Sequence, residues 1–192
     1  VTTATPNRRA DARENREAIL AVALQALTES ADVSLNAIAK RAGVANATLY
    51  RHFPTREALV LAVYQCDVER MRHAATELLA EHPPLEALRR WMRALAECTM
   101  TKRGLADAMR LATGAGRSLF PETYQAMRGA VAELLAAGHE AGTVRPGLDP
   151  EIILLALCGI WQLDPDSQEQ ADALIDLLVT GLSAATTGSA SP

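Results

Sequence analysis

Apolar residues recur along this chain at intervals of three and four, while alternation at intervals of two never persists. The first period belongs to amphipathic helices and the second to strands. Between about Ala10 and Glu29, the residues Ile19, Val22, Ala23, Ala26 and Leu27 form one such stripe. Ser34 stands where an N-cap belongs, ahead of Leu35, Ile38, Ala39 and Ala42, because its hydroxyl can accept from a free N–H of the first turn. Gly43 ends this short helix, since glycine enters the left-handed region without steric cost. A second short segment, Ala45 to Phe53, stops at Pro54. Thr55 then caps a long helix carrying Leu59, Val63, Cys66 and Met71 on one side.

The same period continues to the end of the chain. Pro83-Pro84 separates that long helix from one over Leu85–Thr101, with Leu88, Trp91, Met92 and Leu95. Gly104 opens a segment reaching Leu111, the Gly114–Gly116 stretch reads as a loop, and Pro121 suits the first turn of a helix passing Tyr124, Met127, Val131, Leu134 and Leu135. Asp149-Pro150-Glu151 is a strong helix start, with a cap, a proline at the first position and an acid near the positive end of the dipole. The helix it opens, Ile152 to Trp161, is apolar all round and must be covered on more than one side. Asp166 or Ser167 caps a last helix with Leu174, Leu177, Leu178, Gly181 and Leu182 on one stripe, and the tail after Ala185 reads as frayed. The fold expected is all-α, with about nine helices and no internal repeat.

Composition narrows the picture. The chain has 192 residues, 49% of them hydrophobic, enough for one compact body or a small module joined to a larger one. No run is long and apolar enough for a membrane span, and no leader-like stretch stands near the beginning. Three cysteines (Cys66, Cys98, Cys158) fit neither a disulfide framework nor a zinc site, so a reduced, cytoplasmic protein is expected. The net charge of −4 hides a gradient. Residues 1–60 hold eight Lys/Arg against six Asp/Glu, a balance of +2; the remainder hold eleven against seventeen, a balance of −6. Between Val33 and Arg56 there are four basic residues, one histidine and no acid. A polyanion within a Debye length of about 8 Å would feel that window rather than the acidic average.

The same window holds two short helices joined by a glycine turn, the outline of a helix-turn-helix. Ala39 and Ala42 allow the helices to cross closely; Leu35, Ile38, Val44 and Leu49 point inward. Ala45, Asn46, Ala47, Thr48, Arg51 and His52 are then left near the start of the second helix, which in this motif reaches base edges in the major groove. Asn46 carries an amide suited to adenine, and Thr48 can touch a thymine methyl or a phosphate. Ser34, Tyr50, His52 and Arg56 suit phosphate contacts.

The run from Ala42 to Leu59, with its Gly-Val turn, its Thr-Leu-Tyr-x-His-Phe block and its Thr-Arg-Glu-x-Leu helix start, resembles the TetR/AcrR family of bacterial transcriptional regulators. The motif covers about Ile19 to Leu61. The resemblance implies a DNA-binding domain over 7–54 and a helical effector-binding and dimerisation domain over 55–187. It further implies a homodimeric repressor on a near-palindromic operator, released by a small molecule. Ser34 stands where the family often has Thr, and Arg56 where it often has Lys; both keep phosphate-binding chemistry, with a planar fork added by Arg. Asn46 and Ala47 occupy the variable positions that set operator choice.

Plainer roles exist for most of these residues. Phe53 reads as core, Tyr50 as packing, phosphate contact or both, and His52 alternatively as an ordinary exposed histidine. Arg8, Arg9 and Arg13 make either a solvated or a minor-groove arm. Arg89, Arg90, Arg93, Lys102 and Arg103 read as a solvated face. An effector pocket would draw on Tyr64, Met71, Trp91, Met92, Met109, Phe120, Tyr124, Met127 and Trp161, residues that equally suit plain core, and would favour a small hydrophobic or aromatic ligand. Leu155, Ile160, Leu174, Leu178 and Leu182 read as a dimer surface, or as the protomer's own core. Nothing implies a metal, a cofactor or an enzyme: the four histidines are scattered and neither a phosphate loop nor a Gly-x-Ser-x-Gly motif occurs. The competing class is a hydrophobic-ligand carrier or dimeric scaffold with an inactive DNA-binding module.

Overall fold

The computed structural model of the chain describes residues 8–102, 104–105, 108, 121–157, 163 and 167–184. Among them eight helices form: α1 (Arg8–Glu29), α2 (Leu35–Arg41), α3 (Asn46–His52), α4 (Arg56–Glu81), α5 (Pro84–Thr101), α6 (Pro121–Glu140), α7 (Pro150–Leu157) and α8 (Gln168–Leu182). Gly104, Leu105 and Ala108 are also helical, while the rest of the segment expected up to Leu111 lies outside the described residues, as do the Gly114–Gly116 stretch and the tail after Ala184. The all-α fold is as the periodicity predicts. The sole β-pairing among the described residues is an isolated bridge between Val144 and Ser183.

Helix boundaries follow local chemistry. The Ser34 side chain accepts from the Ala37 N–H at 3.2 Å, and that of Thr55 from the Ala58 N–H at 3.1 Å. At the far end of α2, Gly43 adopts φ +68°, while its N–H and that of Val44 donate back to Lys40 and Ala39. This pair of bonds is the left-handed cap that satisfies carbonyls the helix leaves open. Asp149 receives the Glu151 N–H at 2.9 Å, completing the start of α7. Ser167 occupies the cap position of α8 but makes no side-chain cap bond.

The chain divides into two compact units. The first runs through Cys66 and includes Lys102, Gly104, Leu105 and Ala108 among the described residues. Its core gathers Ile19, Ala23 and Leu27 of α1, Ile38 and Ala39 of α2, Leu49 and Phe53, Leu59, Val60 and Val63 of α4, and Leu105 and Ala108. The division falls inside α4. Seven residues each is too little for α2 and α3 to enclose a core, so the first turns of α4 belong to the module they complete. Cys66, expected on the apolar side of α4, is exposed.

The second unit is built on α5, which packs against both α6 and α8, while α6 packs on α7. Trp91, Leu88 and Met92 of α5 lie fully buried with Val131 and Leu134 of α6 and Ile175 of α8. Arg93 Nε meets Asp172 at 2.9 Å, and Arg89 pairs with Asp176 one turn on. Arg89 and Arg93, expected on a solvated face, therefore tie α5 to α8.

Gly104 marks a close approach within the first unit. A Cβ there would overlap the carbonyl oxygen of Leu27 and stand 2.9 Å from that of Thr28. Those are backbone atoms at the end of α1 and cannot swing aside. Gly104→Ala is expected to lower stability by about 1–3 kcal/mol, the usual cost of overpacking, measured as a shift in the urea midpoint against wild type.

Candidate nucleic-acid interface

Helix α3 is anchored on one side and bare on the other. Leu49 is fully buried and Phe53 is 2% exposed, four residues apart on one face. Ala45, Asn46, Ala47 and Arg51 are exposed, and Tyr50 retains 44% of its surface. Thr48 is half-buried. Ala45 caps the helix by position, with no side-chain hydrogen bond, so the first N–H groups of α3 have no partner within the helix. Four of the residues expected to meet DNA, together with exposed Tyr50 and Ser34, are thus presented to solvent. Lys40 and Arg41 add charge at the end of α2, although Arg41 is engaged with Glu29 of α1 at 2.8 Å.

Two expected phosphate contacts are placed otherwise. His52 is half-buried, and its Nε2 is closed off from solvent with no hydrogen-bond partner among the described residues. The imidazole lies 6.2 Å from the Phe53 ring, while the Arg16 guanidinium sits 5.4 Å above that same ring. A cation over an aromatic face is attracted by its quadrupole, so Arg16 of α1 helps hold the end of α3. Arg56 also turns inward: its guanidinium donates to the carbonyl oxygens of Ala31 and Val33 in the α1–α2 connection. Beside it, the Glu57 carboxyl is held below its ordinary range by its own backbone N–H and by the Thr55 hydroxyl, with the neighbouring Arg56 charge acting in the same direction. A negative charge therefore accompanies Arg56 at the start of α4.

The remaining candidates separate clearly. Tyr64 is half-buried in the first unit. In the second, Trp91 is fully buried and its indole N–H donates to the Met71 carbonyl at 2.8 Å, so its polar handle is already used. Tyr124 and Met127 are half-buried against the core that contains Met71 and Met92. Met109, Phe120 and Trp161 lie outside the described residues. Of the residues expected on a dimer surface, Leu155 is 40% exposed, Leu174 and Leu178 are half-buried, and Ile160 lies outside the described residues. Leu182 is buried with Ala171, Ile175 and Val179 in the unit's own core. The inward stripe of α8 is therefore rotated from the expected one, and Leu177 points out at 69% exposure. Ile152, which the sequence did not single out, is also open, at 63% exposure. Among the described residues, no three His, Cys, Asp or Glu side chains gather as a metal site would require.

The arrangement of α2, Gly43 and α3 has counterparts. Residues 19–63 match the bacterial regulatory proteins of the tetR family, and residues 83–184 match the C-terminal domain of SbtR-like transcriptional regulators. The chain belongs to the TetR family. A TetR transcriptional regulator from Streptomyces coelicolor is 38% identical, with TM-score 0.73, over 88% of this chain and 99% of that one. A TetR regulatory protein from Mycobacterium vanbaalenii is 34% identical, with TM-score 0.69, over 92% and 99%. The Bacillus subtilis regulator FadR, solved with stearoyl-CoA, shares the fold at 19% identity and TM-score 0.65 over 86% and 98%. None of the curated proteins is a match. This TetR-family protein is thus a DNA-binding transcriptional regulator.

The two faces of α3 should respond differently to truncation. Leu49→Ala is expected to cost about 2–5 kcal/mol, as buried leucines do, whereas Asn46→Ala should stay within about 0.5 kcal/mol. Chemical denaturation of both variants checks the contrast.

Proposed function

We propose that the chain acts in the cytoplasm as a homodimeric repressor, binding a near-palindromic operator and leaving it when a small hydrophobic ligand is bound. The observation that carries this reading is the one-sided burial of α3. Leu49 and Phe53 fix its orientation, and Asn46, Ala47, Tyr50 and Arg51 are left facing solvent together. The amide of Asn46 is the group for direct base readout, and Tyr50, Arg51, Ser34 and Lys40 are the backbone contacts. Arg56 is not proposed as a contact, because its guanidinium is turned into the module, and neither is His52, whose Nε2 is closed off from solvent.

A second copy would cover the open apolar residues of α7 and α8. Ile152 and Leu155 lie three residues apart on α7, and Ala173, Leu177 and Gly181 repeat every fourth residue on α8. Large apolar side chains left open at such spacing suit a helix-to-helix interface between protomers. Release follows from differential affinity alone. Helix α4 contributes Leu59, Val60 and Val63 to one core and Met71 and Ala75 to the other. A ligand that favours a shifted α4 would weaken DNA binding by the ratio of its affinities for the two states.

Selection from random duplexes tests the core of the proposal. Enriched sequences should carry two inverted half-sites with centres about 34–36 Å apart, and binding should weaken steeply with salt. A carrier or scaffold with an inactive module would enrich nothing. For the interface, Leu177→Glu together with Ile152→Glu is expected to yield a folded monomer by sedimentation. A dimer of undiminished affinity would rule out this surface.

A further inference from the structure

Arg56 and Val33 stand at opposite ends of the helix-turn-helix, twenty-three positions apart. Val33 immediately precedes the Ser34 cap of α2, and Arg56 opens α4 just beyond Phe53, Pro54 and Thr55. One guanidinium nitrogen of Arg56 donates to the Val33 carbonyl and the other to that of Ala31. The two bonds close a ring around α2 and α3. We infer that Arg56 is a positioning residue that clasps the two ends of the helix-turn-helix and pre-organises it for DNA, rather than a residue that contacts a phosphate. The DNA-binding part of this inference rests on the function of the family to which the chain belongs.

Three observations converge on the clasp. Both carbonyls belong to residues that are half-buried, as Arg56 is, so its charge is spent where water competes weakly. The connection they sit in has few bonds of its own: Val33 N–H reaches Ser30 only at 3.4 Å, and Asp32 N–H reaches the Ser30 hydroxyl at 3.4 Å. Finally, Glu57 follows directly in the chain and places a carboxylate at the same helix start, which weakens any pull on a phosphate there. A planar fork is suited to two neighbouring oxygens in a way that a lysine ammonium is not. The clasp would lower the ordering cost at binding, which is how pre-organisation raises affinity without adding any group that touches DNA.

Salt dependence separates a clasp from a phosphate contact. Operator binding by wild type, Arg56→Lys and Arg56→Gln is measured across a salt series, alongside amide hydrogen exchange over residues 31–41. The clasp predicts that both variants lose affinity, on the order of tenfold for a charge-assisted bond, at an unchanged slope of log affinity against log salt. Exchange over 31–41 should rise in both. If Arg56 instead neutralises a phosphate, the glutamine variant has a slope shallower by about 0.9 per phosphate freed, and the lysine variant binds as wild type does. Either of those results overturns the inference. If Arg56→Gln does not fold, Arg56→Lys decides alone: weaker binding with faster exchange supports the clasp, and wild-type values for both refute it. If wild type itself shows no salt-dependent binding, the DNA-binding function has failed rather than the clasp. Exchange over 31–41 then decides, and no rise in Arg56→Lys refutes the clasp.

Discussion

A seven-residue helix has almost no stability of its own, because nucleation costs more than so few hydrogen bonds return. Everything α3 does depends on the burial of two side chains, Leu49 and Phe53, in a core contributed by α1, α2 and α4. That burial sets the rotation of the helix. With Leu49 and Phe53 inward, the 3.6-residue repeat leaves Asn46, Ala47, Tyr50 and Arg51 outward. The surface that would read DNA is thus a geometric consequence of which residues are apolar.

The module is held at its edges by polar contacts that the core alone would not supply. Arg16 rests on the Phe53 ring, Arg41 meets Glu29, and Arg56 fastens the connection between α1 and α2. These differ in weight. The Arg41–Glu29 pair is half exposed on both sides and adds little to stability. The Arg56 bonds are partly shielded and join segments far apart in sequence, so they constrain shape more than they add contact energy. In the second unit the Arg89 and Arg93 pairs act similarly along α5 and α8, fixing which side of α8 faces out.

Short sequence signals hold where a single residue type answers a single local demand. Ser34 and Thr55 cap their helices, Gly43 turns the chain with positive φ, and Asp149 starts α7. The inward stripe of α8 differs from expectation because its apolar residues nearly encircle the helix: Leu174, Ile175, Leu177, Leu178, Val179 and Leu182 allow more than one inward face. Nothing in the residues themselves ranks Ile175 above Leu177; the position of α5 does. Cationic residues depart from expectation for a related reason. A long side chain such as that of Arg56 or Arg89 reaches whichever acceptor the fold brings near, and periodicity carries no information about that partner.

By itself the sequence determined the all-α class, the helix-turn-helix between Ser34 and Arg56 and the helix starts at Ser34, Thr55 and Asp149, because these depend on contacts between residues a few positions apart. Only the tertiary structure decided that the first turns of α4 and the residues Gly104, Leu105 and Ala108 complete the core of the first unit. It alone closed off the Nε2 of His52, turned Arg56 inward and left Ile152 and Leu177 open. Those outcomes depend on what distant segments place beside each side chain, and a local pattern of apolar and polar residues cannot encode a neighbour that arrives from another part of the chain.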